Sequence, residues 1–284
     1  MGESRQNPEQ LLKSLQTDEE NRNKGHLKIF FGYAAGVGKT YAMLEAAHME
    51  KQQGIDVVAG YVETHARPKT AALLNGLEVL PTREVFYNGM ILDEFDIGMA
   101  LKRKPQLILV DELAHTNAEG CRHAKRYQDI KELLNAGIDV YTTVNVQHIE
   151  SLCDTVASIT EIVVRERIPD SIFDNADQVE LIDIEPQDLI NRLNTGNVYR
   201  QTQAKQAVEN FFTIENLTAL REISLRRCAD RVNILTENTR IKNHGDYQAN
   251  IFLYVCLLLH PMRKLSVPPQ KWLLLLKGSL RLYL

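Results

Sequence analysis

From residue 27 onward, short unbroken apolar runs take turns with longer segments whose apolar residues recur at helical spacing. The runs at 27–31, 57–62, 107–110, 140–144 and 179–184 predict strands, with shorter ones near 84–87 and 162–165. Most lack polar alternation, as strands buried on both faces require, and that is the habit of a parallel sheet. The segments between them, 40–53, 69–75, 92–103, 126–135, 146–156 and 186–194, predict helices, and Gly137 after Asn135-Ala136 reads as a helix stop. Alternation of this kind predicts an α/β fold, a doubly wound, mostly parallel sheet with helices on both faces. Strand signals vanish after about residue 197, and 203–233 predicts two helices in succession, a C-terminal helical extension.

The two ends differ from this body. Before residue 26, Asp18-Glu19-Glu20 and then Asn21-Arg22-Asn23-Lys24-Gly25 have the character of a short solvated helix and a linker. No Asp or Glu follows Asp246, while leucine and basic residues dominate. The apolar runs 251–259 and 272–276 fall well short of the roughly 20 residues that span a bilayer. The expected organisation is therefore 1–25 as helix and linker, 26–200 as the α/β domain, 201–245 as the extension, and 246–284 as a tail that is not a domain. An acid-free, leucine-rich ending is what an out-of-frame reading gives, and it predicts a frameshifted or truncated product.

Composition narrows the class. Hydrophobic residues at 44% and charged residues at 25% are globular values, which argues against disorder and disulfide scaffolds. A net charge of -4 gives no global attraction to nucleic acid or anionic membrane, so no direct nucleic-acid partner is expected. Cys121, Cys153, Cys228 and Cys256 form no C-x-x-C pair, which leaves a zinc site or redox dithiol without support and fits a reducing cytoplasm. The polar start has no apolar signal core, and Gln6 stands where a myristoylation signal needs Ser or Thr.

The strongest chemical signal follows the first strand: Gly32-Tyr33-Ala34-Ala35-Gly36-Val37-Gly38-Lys39-Thr40, then a helix. A small-residue loop between strand and helix turns backbone N–H groups around a phosphate, and the helix N-terminus adds partial positive charge. Lys39 would reach the β- and γ-phosphates of a nucleotide, and Thr40 would place its hydroxyl on Mg²⁺. The strict pattern asks for glycine at position 33, where this chain has Tyr33, with Gly32 one place early. The core Gly36-Val37-Gly38-Lys39-Thr40 is intact, so the loop is read as a P-loop and the fold as P-loop NTPase-like; the alternative is a tight glycine turn with an exposed lysine. Lys39 is expected to stand exposed in the nucleotide-free protein. A dinucleotide-binding reading fails because the third glycine position is Tyr41.

The second signal is Leu107-Ile108-Leu109-Val110-Asp111-Glu112, which puts two carboxylates at the carboxyl edge of the sheet, where open α/β folds bind ligands. Asp111 would hold the Mg²⁺ shell and Glu112 would act as the catalytic base, although acids after a strand are also common as solvated turn residues. Asn145 to His148, after the strand at 140–144, could sense a γ-phosphate or simply cap a helix. Arg122-His123-Ala124-Lys125-Arg126 could supply a phosphate-neutralising arginine, with a solvated basic face as the better-supported reading.

These residues resemble the N-terminal sensor domain of the KdpD potassium and osmotic sensor histidine kinases. The resemblance is carried by HLKIFFGYAAGVGKTYAMLE at 26–45, VAGYVETHARP at 58–68, the whole of 107–153, and LTALREISLRRCADRV at 217–232. It implies a cytoplasmic domain that binds ATP with Mg²⁺ through Gly32, Gly36, Val37, Gly38, Lys39, Thr40 and Asp111. It also implies partners: the membrane and kinase domains of the same receptor, and a KdpE-type response regulator that switches on a high-affinity potassium pump. The likeness stops near Val232-Asn233, and no phospho-acceptor box surrounds any of the eight histidines, so no autokinase activity is expected of this chain. Three functions stay open: a regulatory ATP-binding module, a stand-alone Mg²⁺-dependent ATPase, and an interaction fragment whose loop is degenerate at Tyr33.

Overall fold

The computed structural model describes residues 24–64, 67–87, 89–194 and 211–242, and side chains as far as residue 236. The chain runs through β1 (Leu27–Gly32), α1 (Lys39–Gln52), β2 (Val57–Tyr61), α2 (Pro68–Ala72), β3 (Glu78–Val79), β4 (Arg83–Tyr87), β5 (Met90–Glu94), α3 (Ile97–Arg103) and β6 (Leu107–Val110). It continues through α4 (Arg126–Asn135), β7 (Asp139–Asn145), α5 (Cys153–Thr160), α6 (Asp170–Asp174), β8 (Gln178–Leu181), α7 (Pro186–Asn194) and α8 (Ile214–Lys242). Two 3-10 turns, Val146–His148 and Glu150–Leu152, follow β7.

Six strands form one sheet in the order β3-β2-β6-β7-β1-β8, with every neighbouring pair parallel. Alternate residues of these strands enter two separate cores, which is why the runs read as unbroken apolar. Ile29, Phe31, Ile108, Val110 and Val140 pack with Ile130, Leu133, Phe173, Leu189 and Leu220 from α4, α6, α7 and α8. Phe30, Val57, Ala59, Leu107 and Leu109 pack with Met43, Leu44 and Ala47 of α1. The doubly wound α/β fold is as the sequence predicts.

Several elements depart from the prediction. The helix expected over 92–103 gives its first turn to β5, which pairs antiparallel with β4. Asn88-Gly89 is a favoured hairpin dipeptide and Gly89 takes φ 83, while Asp96 caps α3 by accepting from Met99 N–H at 3.0 Å. No strand forms at 162–165: Glu161 ends α5 at φ 58, and although Ile162 packs against the core, Val163 beyond it is 71% exposed and the run joins no sheet. The helix expected over 146–156 begins as the two 3-10 turns and becomes α-helical only at Cys153.

The chain divides into two units, Met1–Val232 and Asn233–Leu284. The second of the two helices expected over 203–233 is α8, and the first falls on residues outside the described set. The expectations for 1–23 and for the 246–284 tail lie outside it as well. No helix among the described residues is long and apolar enough to cross a membrane.

Candidate functional site

Because β7 lies between β1 and β6, three strand ends meet at one edge of the sheet: Gly32 beside Asn145, and Asp111 just past the end of β6. The glycine-rich loop leaves β1 there and turns into α1. Gly36 and Gly38 adopt φ 93 and 113, conformations that side chains resist, so these two glycines are set by backbone geometry. Gly32 is required for a different reason: a Cβ there would lie 2.6 Å from Val37 Cγ2 and 3.2 Å from Lys39 Cδ. Gly32→Ala is therefore expected to destabilise the chain by ~1–3 kcal/mol and to misplace Lys39, measured by urea unfolding; unchanged stability would mean the loop yields freely.

Tyr33 explains its own departure from the glycine pattern. It is not among the non-glycine residues with positive φ in the described set, and it is wholly buried, its hydroxyl donating to Ile184 O at 3.1 Å. Burial raises its phenol well above the ordinary value. The backbone at 33 needs no glycine, and the ring anchors the loop to the segment after β8.

Lys39 is not exposed, contrary to the sequence-based expectation: it is 8% exposed and its Nζ donates to Ala34 O at 3.0 Å. Burial, partly opposed by the Asp111 carboxylate, pulls its ammonium down to about 8. The next residue, Thr40, donates its hydroxyl to Asp111 Oδ2 at 3.0 Å, joining positions 71 apart in sequence. The other oxygen of Asp111 accepts from the Thr143 hydroxyl and from Glu112 N–H, the latter at 3.1 Å. Glu112 sits at φ 60, and burial, reinforced by the neighbouring Asp111 charge, raises its carboxyl above the usual range.

A cavity of about 80 Å³ opens between Lys39, Glu112, Thr143, Asn145 and His148. Asn145 Oδ1 is buried there with no hydrogen-bond partner in the protein, an acceptor that calls for a donor from an occupant. His148 Nδ1 lies 2.9 Å from Glu166 O, so that nitrogen carries the proton, and burial lowers the ring's pKa. The residues present thus fit a phosphate and a hard cation: a cradle of glycines, a lysine, and a hydroxyl paired with a carboxylate.

The basic cluster at 122–126 divides: Arg122 is exposed, as a solvated face requires, whereas Arg126 is turned into the protein. Arg126 is fully buried, with Nη2 on Glu94 at 2.9 Å and its guanidinium 4.1 Å from the centre of the Tyr61 ring. Arg122 pairs with Glu132, and Lys125 donates to Thr116 Oγ1 at 2.7 Å. Sequence reasoning missed Thr143, whose signal was a pair of threonines inside an apolar strand, and Glu94, which carried no local signal.

Residues 23–232 match the family model described as "Osmosensitive K+ channel His kinase sensor domain". Proteins named sensor protein KdpD from Clostridium acetobutylicum and Escherichia coli are 60% and 57% identical over 84% and 81% of this chain. A putative sensor protein KdpD from Synechocystis is 48% identical over 84% of it. The chain spans 26% and 25% of the length of the first two relatives and 64% of the third. With the family model covering most of the chain, and with relatives of this identity, the chain belongs to the KdpD sensor-domain family.

Proposed function

We propose that this chain is the ATP-binding regulatory domain of a KdpD-type two-component sensor kinase, working in the cytoplasm with Mg²⁺. The observation that carries this reading is the 3.0 Å contact between Thr40 Oγ1 and Asp111 Oδ2. A hydroxyl at the start of a helix and a carboxylate at the end of a separate strand make a hard-oxygen pair beside a lysine and a glycine cradle. In the bound state Thr40 and Asp111 would hold Mg²⁺, which supplies charge to neutralise phosphate oxygens, while Lys39 and the loop N–H groups hold the polyphosphate. Nucleotide occupancy would then bias the membrane and kinase domains of the same receptor and, through them, a KdpE-type response regulator.

The test is ATP affinity of the whole chain by calorimetry, with Mg²⁺ and with a chelator. Asp111→Asn is expected to remove the gain that Mg²⁺ gives while leaving Mg²⁺-free binding in place. Equal Mg²⁺ dependence in parent and variant would overturn the assignment of Asp111.

The stand-alone ATPase reading is favoured by one observation, the half-buried Glu112 with its raised carboxyl, lining the same cavity as Lys39. On that reading Glu112→Gln keeps ATP affinity and abolishes phosphate release. If the parent releases no phosphate over hours at saturating Mg-ATP, the regulatory reading stands alone.

A further inference from the structure

A second cavity, of about 160 Å³, lies where the base of the β4–β5 hairpin and the start of α3 meet the segment between β6 and α4. It shares no lining residue with the cavity beside Lys39. Asn117, 9% exposed, is part of its wall. The amide nitrogen of Asn117 donates to His123 O at 3.0 Å and to Asp129 Oδ2 at 2.6 Å, which engages both N–H groups and fixes the orientation of the amide. Oδ1 is left buried with no hydrogen-bond partner among the described residues, an acceptor that calls for a donor from an occupant.

The rest of the lining divides by chemistry. Asp129, 2% exposed, and Asp96 add carboxylates to the amide oxygen. Burial raises the Asp129 carboxyl above its ordinary range, against the Asn117 bond and the charges of His123 and Arg126, so a cation beside it would stabilise its ionised form. Phe95 and Ile97, both buried, supply an apolar wall. Arg83 and Arg122 supply positive charge, and because Arg122 pairs with Glu132, exposed Arg83 on β4 is the guanidinium that a ligand's carboxylate would meet. A cation alone would face that guanidinium, and an anion alone would face the two carboxylates. A molecule carrying both charges suits both walls. A cavity of this size admits a ligand of roughly six heavy atoms.

We infer that this cavity binds a small zwitterion, an amino acid about the size of alanine, whose ammonium donates to Asn117 Oδ1 and the Asp129 carboxylate and whose carboxylate meets Arg83. A quaternary ammonium has no N–H for the amide oxygen, so the cationic end is a primary ammonium. The inference goes beyond the ATP-binding reading and does not depend on it, since the two cavities are separate.

The experiment follows the melting temperature of the whole nucleotide-free chain as L-alanine is added, with ethylammonium and propionate as probes of each charge alone. The parent is compared with Asn117→Leu and Arg83→Gln. L-alanine is expected to raise the melting temperature of the parent along a saturable curve with a midpoint of about 1 mM, while each half-probe has far less effect. Arg83→Gln should melt at the parent's temperature without ligand, because its side chain is exposed, and should need about tenfold more L-alanine. Asn117→Leu should lose the response. Should that variant fail to fold for want of the bonds to His123 and Asp129, Arg83→Gln alone decides the matter. A rise that is linear in concentration and equal in parent and Arg83→Gln is the general effect of an excluded solute and would overturn the site, as would no rise at all. Ethylammonium as effective as L-alanine would overturn the zwitterion and the role of Arg83.

Discussion

Lys39→Met is expected to abolish ATP binding and, at the same time, to make the nucleotide-free protein more stable. The first effect follows from the position of Lys39 directly before Thr40 at the end of the glycine loop, where its ammonium interacts with the Asp111 carboxylate that Thr40 meets. Losing charge-assisted bonds to two phosphates weakens binding by about a hundredfold or more. The second follows from burial. The side chain is 8% exposed and its ammonium has been moved out of water for one carbonyl hydrogen bond to Ala34, so the folded state carries a desolvation penalty. Methionine keeps the apolar stem and the volume while removing the charge, at the expense of an unpaired Ala34 O worth ~1 kcal/mol. The net gain should be about 1–2 kcal/mol in urea unfolding, seen as a melting temperature several degrees higher. A residue placed for packing alone would give the reverse. A methionine variant that is less stable than the parent, or that still binds ATP, would show that Lys39 is not held in reserve for a ligand.

The strands were legible because each of the long ones is buried on two faces, which leaves an unbroken apolar run in the sequence. Phe30 and Phe31 facing opposite cores is the clearest instance. The β4–β5 hairpin was not legible by the same rule. Leu92, Phe95 and Met99 fall at helical spacing, and that pattern outweighed Asn88-Gly89 and the Asp96 cap, which decide the local outcome. In the site, Gly36 to Thr40 and Asp111-Glu112 could be named because each group is contiguous in the chain. What could not be named depends on strand order. Only with β7 inserted between β1 and β6 does Thr143 reach Asp111. The left-handed backbone at Glu112 was likewise invisible, since a glutamate gives no signal for φ 60.

Arg126→Ala is expected to produce the largest loss of stability of any single substitution discussed, about 3–5 kcal/mol, because it strands a buried carboxylate. Glu94, at the end of β5, has a side chain only 5% exposed, and Arg126 donates Nη2 to it at 2.9 Å. Burial alone would raise the Glu94 carboxyl, yet bonds from His115 and Ala118 N–H, with the charges of His115 and Arg126, hold it below the ordinary value. Removing Arg126 leaves the charge to His115 and one amide, and opens a cavity beside the Tyr61 ring that the guanidinium covers. If the stranded charge is the cause, adding Glu94→Leu to Arg126→Met should recover at least half of the loss suffered by Arg126→Met alone, a coupling that two independent sites would not show. A double variant no more stable than the single one would refute that cause. Binding separates the two roles of the same guanidinium. Its Nη1 also reaches Asp111 O, at 3.4 Å, so it fixes the backbone from which the Asp111 carboxylate meets Thr40. Leucine at 94 repairs the buried charge but not that contact, and the double variant should regain stability while still binding ATP with a diminished response to Mg²⁺.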